Sequence, residues 1–164
     1  MEYVISDTAL SGQFLANLGD AYYYTKRYKS SDSAYEEDLK IIPNDDNVLN
    51  NYSYYLSVRD TELDKAERMS KKSIFLSPNN ASYLDTYAWI LYMEGKYKDA
   101  KYWEEKSLGN GGIGDATVVE HYGDILYKLG DKDKALENWQ KAKDMGMKSD
   151  LLERKIRDKQ LYDK

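Results

Sequence analysis

The sequence contains no cysteine and only two prolines, one histidine and two phenylalanines among its 164 residues. The lack of cysteine excludes disulfide bonds and thiolate chemistry, and it suits a cytoplasmic and a periplasmic setting equally, so the compartment stays open. No uninterrupted apolar run approaches the roughly 18 residues of a membrane-spanning helix, so we expect no direct membrane insertion. The opening residues, MEYVISDTAL, lack a basic segment followed by an apolar core, so we expect no secretory signal there.

Basic residues do not dominate any part of the chain. Lysine and arginine number 24 against 29 acidic residues, which gives a net charge of −5. Nucleic-acid binding needs a concentrated basic surface, and we therefore expect no nucleic-acid partner. Tyrosine is abundant instead, with 17 copies. Its apolar ring and hydrogen-bonding hydroxyl suit half-buried surfaces that also meet water or a partner.

The sequence repeats itself with a period of 34 or 35 residues. Gly95 and Gly130 open two similar segments, GKYKDAKYWEEKSL and GDKDKALENWQKAK, that lie 35 positions apart. Tyr52, Tyr87 and Tyr122 recur at the same interval. Repeats of this length are typical of helical solenoids. Four copies can be aligned, at about residues 12–45, 46–80, 81–115 and 116–149.

Each copy is predicted to form two helices. The segment SYLDTYAWILYM has apolar residues at helical spacing, and Gly95 separates it from a second helical segment. Pro43 and Pro78 follow the second helices of copies one and two, where proline stops a helix. In copy two, we expect a residue between Thr61 and Asp64 to cap the second helix. After copy four, residues 150–163 are predicted to form an amphipathic, highly charged helix that caps the array.

The fixed positions of small and apolar residues resemble those of the tetratricopeptide repeat (TPR) family. The resemblance implies an all-α fold, with residues 1–164 forming one α-solenoid wound as a right-handed superhelix. The first helix of each copy would line its concave face, and a small residue in each would allow close approach of the paired helix. These small residues are Gly19, Ser53, Ala88 and Gly123. Other matching residues are Leu15, Leu18, Tyr22, Tyr35, Pro43, Leu56, Ala66, Pro78, Leu84, Leu91, Ala100, Leu126, Ala135, Trp139 and Ala142.

Two features depart from the TPR pattern. Ser31 stands where copies two to four have alanine, and GNGGIG replaces the proline junction after copy three. We expect Gly109 to end the preceding helix in a left-handed conformation and Asp115 to cap the next helix. A finer likeness, to tyrosine-rich C-terminal TPR arrays of longer, Bacteroidetes-like bacterial proteins, implies that the chain is the C-terminal part of such a protein.

The resemblance also places a stripe of side chains on the concave face. Aromatic rings supply contact area there, and asparagine side chains can pair with an extended peptide backbone. The carboxylates would favour lysine or arginine on the partner. We therefore expect a non-catalytic scaffold that binds a peptide or protein segment in a tyrosine-rich, acidic groove. The predicted contact residues are Asp20, Tyr23, Tyr24, Asn47, Asn50, Tyr54, Asp85, Trp89, Tyr92, Glu120, Asp124 and Tyr127.

Two other interpretations stay open. The tyrosines would pack on an adjoining repeat if the chain is a structural or oligomerisation module with no ligand of its own. The chain could also be an accessory domain of an enzyme whose chemistry lies outside this segment.

Patterns that suggest chemistry have simpler explanations. GNGGIG satisfies the glycine spacing of a dinucleotide-binding loop, but a helix precedes it where such a loop needs a strand. His121 is the only histidine, so histidine-rich metal sites and serine triads lack their partners. Asp85 and Glu120 could act as paired carboxylates, but an open solenoid face excludes water poorly. The sequence therefore predicts no catalytic residue, no metal ligand and no cofactor.

Overall fold

The computed structural model describes residues 8–162, which form nine α-helices and no β-strand. A short 3-10 turn, Gly112–Gly114, lies between the sixth and seventh helices. The predicted all-α fold is confirmed. The helices are α1 (Thr8–Tyr24), α2 (Tyr28–Ile41), α3 (Asp46–Val58), α4 (Leu63–Leu76), α5 (Ala81–Met93), α6 (Tyr97–Gly109), α7 (Ala116–Lys128), α8 (Lys132–Asp144) and α9 (Asp150–Asp158).

The helices pack as four successive hairpins, α1/α2, α3/α4, α5/α6 and α7/α8. Neighbouring hairpins stack through α2/α3, α4/α5 and α6/α7, and α9 packs on α8. The second, third and fourth hairpins fall within the predicted copies of the repeat, whereas α1 of the first hairpin begins at Thr8, before the predicted start of copy one at about residue 12. The chain is therefore an α-solenoid, in which each hairpin buries its apolar face against the next.

The first helices of the hairpins carry most of the core. All ten residues from Tyr83 to Tyr92 in α5 are buried, because α3, α4, α6 and α7 all pack around this helix. The second helices bury fewer residues, and several of these are small. In α6 the buried residues are Ala100, Glu104 and Ser107.

Close approach within the hairpins depends on the predicted small residues. A Cβ atom at Gly19 would lie 2.5 Å from the Tyr35 ring, and one at Gly123 would lie 2.6 Å from the Trp139 indole. These distances are shorter than van der Waals contact, so only glycine fits. Ser53 and Ala88, at the same position in the middle hairpins, are fully buried. The predicted role of these four positions is confirmed.

The turn inside each hairpin contains a residue in the left-handed region, with φ angles between 50° and 90°: Lys26, Asp60, Gly95 and Gly130. The turn of the second hairpin also contains Glu62, with a φ of 47°. The predicted cap of α4 between Thr61 and Asp64 is wrong. Glu62 occupies the N-cap position in a left-handed conformation, and its side chain makes no capping hydrogen bond.

The junctions between hairpins match the sequence with one exception. α2 ends at Ile41 and α4 at Leu76, just before Pro43 and Pro78, as predicted. At the glycine-rich junction, Gly111 and not Gly109 has the left-handed φ, of 107°, so that expectation was wrong. Asp115 caps α7 as predicted, by accepting a hydrogen bond from the Thr117 amide at 2.7 Å.

The predicted C-terminal capping helix forms as α9. Ser149 caps its first turn by accepting a hydrogen bond from the Leu152 amide. Leu152 and Lys155 are fully buried against the fourth hairpin. The helix ends at Asp158, earlier than predicted, and residue 163 lies outside the described residues. No helix in residues 8–162 has the length and apolar character needed to cross a bilayer.

Candidate functional site

The predicted contact residues follow the repeat in three columns. One column holds Asn50, Asp85 and Glu120, and it continues to Lys155 on α9 at the same interval. A second holds Asp20, Tyr54, Trp89 and Asp124. A third holds Tyr23, Tyr92 and Tyr127, and it continues to Tyr162. Because equivalent positions of stacked hairpins lie side by side, each column crosses the solenoid from one hairpin to the next.

The N-terminal end of the stripe is a tyrosine cluster built around one carboxylate. The Tyr23 and Tyr55 rings stack with centroids 3.7 Å apart. Asp20 Oδ1 accepts hydrogen bonds from the Tyr35 hydroxyl at 2.6 Å and the Tyr55 hydroxyl at 3.1 Å. Burial, followed by the Asp20 hydrogen bond, raises the pKa of Tyr35 far above its ordinary value. Asp20 therefore serves as an internal acceptor, whereas Tyr24 is 75% exposed at the rim of the cluster.

The asparagines of the second hairpin behave differently from each other. Asn47 is exposed, whereas Asn50 is buried with 7% of its surface accessible. Asn51 links them, because its side chain accepts from the Asn50 amide and donates to the Asn47 oxygen, both at 3.3 Å. The neighbouring Tyr54 is half-buried, and burial raises its pKa to about 12. Asn47 and Tyr54 are therefore the accessible members of this part of the stripe.

An aromatic wall forms the middle of the stripe. Trp89 stacks on Tyr92 with ring centroids 4.7 Å apart, and on the His121 imidazole at 4.0 Å. These rings adjoin a cavity of about 460 Å³, which we call the central cavity. Its main lining residues are Arg59, Trp89, Tyr92, Tyr97, Lys128 and Tyr162, with Val58, Asp60, Met93 and Asp124 completing it. The lining comes from three successive hairpins and the C-terminal segment.

The expectation of exposed acids on this stripe is wrong for three of the four carboxylates. Asp85, Glu120 and Asp124 are 7%, 6% and 3% exposed. Lys155 Nζ lies 2.9 Å from Glu120 Oε1 and 2.7 Å from both Asp124 oxygens, so one buried amine pairs with two carboxylates. Asp124 Oδ1 also accepts the Trp139 indole hydrogen at 2.9 Å. Burial raises the pKa of Asp124, and the charge of Lys155 offsets only part of this increase.

A second buried ionisable cluster lies between the third and fourth hairpins. His121 Nδ1 is 2.8 Å from Asp85 Oδ1, and Glu104 of α6 completes the group. Ligand atoms of these three side chains lie within 4.8 Å of one another. Burial, followed by the charge of Asp85, raises the pKa of Glu104 well above its ordinary range. The single histidine therefore has two carboxylate neighbours, Asp85 and Glu104. They were not predicted because they are distant from His121 in the sequence.

The structure brings only part of the predicted set together. Trp89, Tyr92 and Asp124 line the central cavity, whereas Tyr127 stacks on Trp139, with centroids 5.6 Å apart, and does not line it. Sequence reasoning missed several lining residues, because turns and second helices were not considered. Extending the Tyr92 and Tyr127 column by one period would have found Tyr162. The other missed residues are Arg59 and Asp60 in a turn and Tyr97 on α6, whereas Val58, Met93 and Lys128 lie on the same first helices as the predicted stripe.

Comparison with known proteins supports the repeat assignment. No protein-family model matches the chain. A TPR repeat-containing protein of Pseudomonas aeruginosa is 30% identical over 93 residues, which cover 54% of this chain. The matched region is about 15% of the length of that relative.

Two solved structures illustrate the likeness of the fold. PilF of Pseudomonas aeruginosa has a TM-score of 0.72 at 21% identity, and the match covers 90% of this chain and 71% of PilF. A MamA fragment, residues 41 to the end, from Desulfovibrio magneticus RS-1 has a TM-score of 0.70 at 14% identity, covering 82% and 75%. The 35-residue sequence repeat, the stacked helical hairpins and the match to a TPR repeat-containing protein together show that this chain has the tetratricopeptide-repeat fold.

Proposed function

We propose that the chain is a non-catalytic scaffold that holds an extended segment of a partner protein across its stripe, with a large apolar or aromatic side chain in the central cavity. The observation that carries this proposal is the construction of the cavity. Its volume of about 460 Å³ lies within the roughly 300–1,000 Å³ range of ligand pockets. Its walls come from three successive hairpins, which suits an elongated ligand that crosses the repeats.

The chemistry of the walls favours contact through aromatic surface. Trp89 and Tyr92 are held rigid by stacking, and Tyr97 lies beside Tyr92 with ring centroids 5.5 Å apart. Rigid aromatic residues give large contact areas at low cost in conformational entropy. The buried acids already have partners inside the fold, Glu120 and Asp124 with Lys155 and Asp85 with His121, so they offer little to a basic partner. We therefore replace the expected acidic groove with an aromatic one of mixed charge.

The charged groups at the cavity are of both signs. Arg59 is fixed by a bidentate ion pair with Asp32, at 2.6 and 3.2 Å, so it shapes the wall more than it attracts an anion. Asp60 and Lys128 complete the charged lining outside the buried network. Mixed charge at a rim sets the orientation of a ligand more than its affinity.

Peptide selection tests this proposal. Peptides selected from a displayed random library against the whole protein would be measured by isothermal titration calorimetry. We expect Tyr97→Ala to weaken binding at least tenfold, because the ring forms part of the cavity wall. The matched control is Tyr102→Ala, on the same helix and 54% exposed outside the cavity lining, which should change affinity less than twofold. Equal loss in both variants, or a loss in Tyr102→Ala alone, would rule out the central cavity as the site.

A second candidate function is self-association through the first hairpin. Leu10 and Phe14 of α1 are 67% and 63% exposed, unusual for large apolar side chains. Leu15 and Tyr22 are half-buried beside a groove of about 480 Å³. Their repeat equivalents are Leu49 and Leu56, and both are buried because hairpin one covers them.

Such a face suits isologous pairing of two first hairpins, because α9 already covers the other end of the solenoid. Sedimentation equilibrium over a wide range of protein concentration tests this alternative. A dimer in the wild type that Phe14→Ser dissociates would support it. Phe75→Ser, on α4 and 83% exposed, is the control that should leave the dimer intact. A monomer at every concentration would exclude it.

A further inference from the structure

The interface between the third and fourth hairpins encloses three side chains that can bind metal ions, each from a different helix. Asp85 of α5, Glu104 of α6 and His121 of α7 are 7%, 0% and 1% exposed. Their ligand atoms lie within 4.8 Å of one another. One neighbour of the cluster is aromatic, since the His121 ring stacks on Trp89 with centroids 4.0 Å apart.

Glu104 occupies a position that carries aromatic residues in the first and fourth hairpins and Ser70 in the second. The equivalent residues are Tyr35 in the first hairpin and Trp139 in the fourth, and each donates a hydrogen bond to an aspartate on the first helix of its own hairpin. A carboxylate at this position cannot donate such a bond unless it is protonated. The core around Glu104 therefore differs chemically from the cores of the first and fourth hairpins.

The polar atoms of this cluster are not satisfied by the described part of the chain. Neither Glu104 oxygen has a hydrogen-bond partner there, and His121 Nε2 also has none. The buried amine of Lys155 is engaged by Glu120 and Asp124. Burying a carboxylate is costly unless a cation or a proton neutralises it. The cluster thus contains two carboxylates, and the only cationic group in it is His121, if protonated.

We propose that Asp85, Glu104 and His121 bind one divalent transition-metal ion, with zinc as the best fit, between the third and fourth hairpins. One imidazole and two carboxylates form a ligand set that suits zinc, whereas magnesium and calcium prefer oxygen ligands alone. His121 Nδ1 and Asp85 Oδ1 are 2.8 Å apart, and they would separate to roughly 3.4 Å, the distance between adjacent ligands of a tetrahedral ion with bonds of about 2.0–2.2 Å, when a metal ion replaces the proton between them. The ligand atoms of all three side chains lie within 4.8 Å of one another, so small side-chain movements would bring them to one ion.

The bound ion would link α5, α6 and α7 and fix the imidazole on which Trp89 stacks. Its role would be to hold the third and fourth hairpins together and to keep the wall of the central cavity rigid. The metal site does not depend on peptide binding, so either proposal can fail without the other.

Metal titration of the protein without an affinity tag tests the site. After dialysis against chelator, the protein is titrated with zinc chloride by calorimetry, and with cobalt chloride by visible absorption. We expect one ion per chain, a higher melting temperature with zinc, and a saturable cobalt spectrum. Glu104→Gln should weaken zinc binding at least tenfold. Glu105→Gln changes the adjacent, exposed carboxylate and should bind zinc as the wild type does.

The single histidine provides a readout that needs no variant. Because His121 is the only histidine, its ring signals in a nitrogen-15 NMR spectrum are assigned at once. Zinc should shift or broaden these signals in proportion to saturation, even if Glu104→Gln fails to fold. Unchanged His121 signals at saturating zinc, absence of saturable binding, or equal affinity of Glu104→Gln and wild type would each overturn the proposal. A proton on Glu104 would then be the neutralising group.

Discussion

Lys155 lies 35 positions after Glu120 in the sequence, and its Nζ atom is 2.9 Å from a Glu120 carboxylate oxygen. The spacing equals the repeat period, so α9 places Lys155 where α7 places Glu120. The same amine contacts both Asp124 oxygens at 2.7 Å. The capping helix therefore continues the repeat by one position and supplies the cation that pairs with two carboxylates of the preceding hairpin.

Removing this cation should destabilise the fold. We expect Lys155→Met to lower the free energy of unfolding by about 3–5 kcal/mol, because it leaves two buried carboxylates without a cation. Urea denaturation followed by circular dichroism measures the loss. The exposed Lys148→Met should change stability by less than about 0.5 kcal/mol.

Neutralising the carboxylates should compensate for the lost amine. The combined variant Lys155→Met, Glu120→Gln, Asp124→Asn keeps the shape of the site without its charges, and the amide oxygen introduced by Asp124→Asn can still accept the Trp139 indole hydrogen. We expect it to recover most of the stability lost in Lys155→Met. No recovery would show that Lys155 acts through the packing of its chain and not through its charge.

A second prediction concerns the closest helix contact in the fourth hairpin. A Cβ atom at Gly123 would lie 2.6 Å from the Trp139 ring and 3.1 Å from the Ala135 carbonyl oxygen. Gly123→Ala should therefore force α7 and α8 apart and cost about 1–3 kcal/mol. The melting temperature in a thermal scan reports the loss.

The matched control lies at the end of α6. A Cβ atom at Gly109 would meet nothing within 4 Å, and its φ is not in the left-handed region. Gly109→Ala should be neutral or stabilising by up to ~1 kcal/mol, because alanine favours the helix. Similar destabilisation by both substitutions would show that the clash with Trp139 does not explain the effect of Gly123→Ala.

The solenoid was predictable from sequence because the repeat specifies the helix pairs locally. The recurring tyrosines Tyr52 and Tyr87, and the stops at Pro43 and Pro78, define where each hairpin begins and ends. The side-chain cap expected between Thr61 and Asp64 does not form, because a left-handed turn at Glu62, and not a capping side chain, starts α4.

Whether the side chains of the stripe are exposed or buried could not be predicted by considering each repeat alone. Asp85 and Glu120 have positions typical of exposed groove residues, but His121 and Lys155 reach them from 36 and 35 positions further along the chain. Exposure at these sites depends on which side chain the next helix supplies. The sequence shows which residues occupy equivalent positions in successive repeats, but it does not show whether their side chains form ion pairs with one another.

A third prediction concerns pH and Asp38 of α2. This carboxyl group is fully buried, neither oxygen has a hydrogen-bond partner among the described residues, and burial together with the charge of Asp45 raises its pKa to about 6. Between about pH 4 and pH 6 the folded chain therefore binds more protons at Asp38 than the unfolded chain does. The free energy of unfolding should fall as pH rises through this window, on the order of 1–3 kcal/mol in total.

The repeat itself suggests the variant that removes this effect. Ser73 and Ser107 occupy the position of Asp38 in the next two hairpins, and both are fully buried. Asp38→Ser should raise stability at pH 7 and flatten the dependence between pH 4 and pH 6, as measured by urea denaturation at each pH. Glu37→Ser, at the adjacent exposed position, should retain the wild-type slope. An unchanged slope in Asp38→Ser would mean that another group titrates in this window.

The last prediction separates an aromatic groove from an acidic one. If the exposed charge of Asp85, Glu120 and Asp124 attracted a basic partner, affinity would fall steeply as salt screens the attraction. Because the three carboxylates are buried, two of them paired with Lys155 and the third beside His121, we expect a weak effect. The dissociation constant of a selected peptide should change less than about threefold between 50 and 500 mM sodium chloride, where the Debye length falls from ~14 to ~4 Å. Calorimetry at four salt concentrations measures it, and a loss of tenfold or more would restore charge as the basis of recognition.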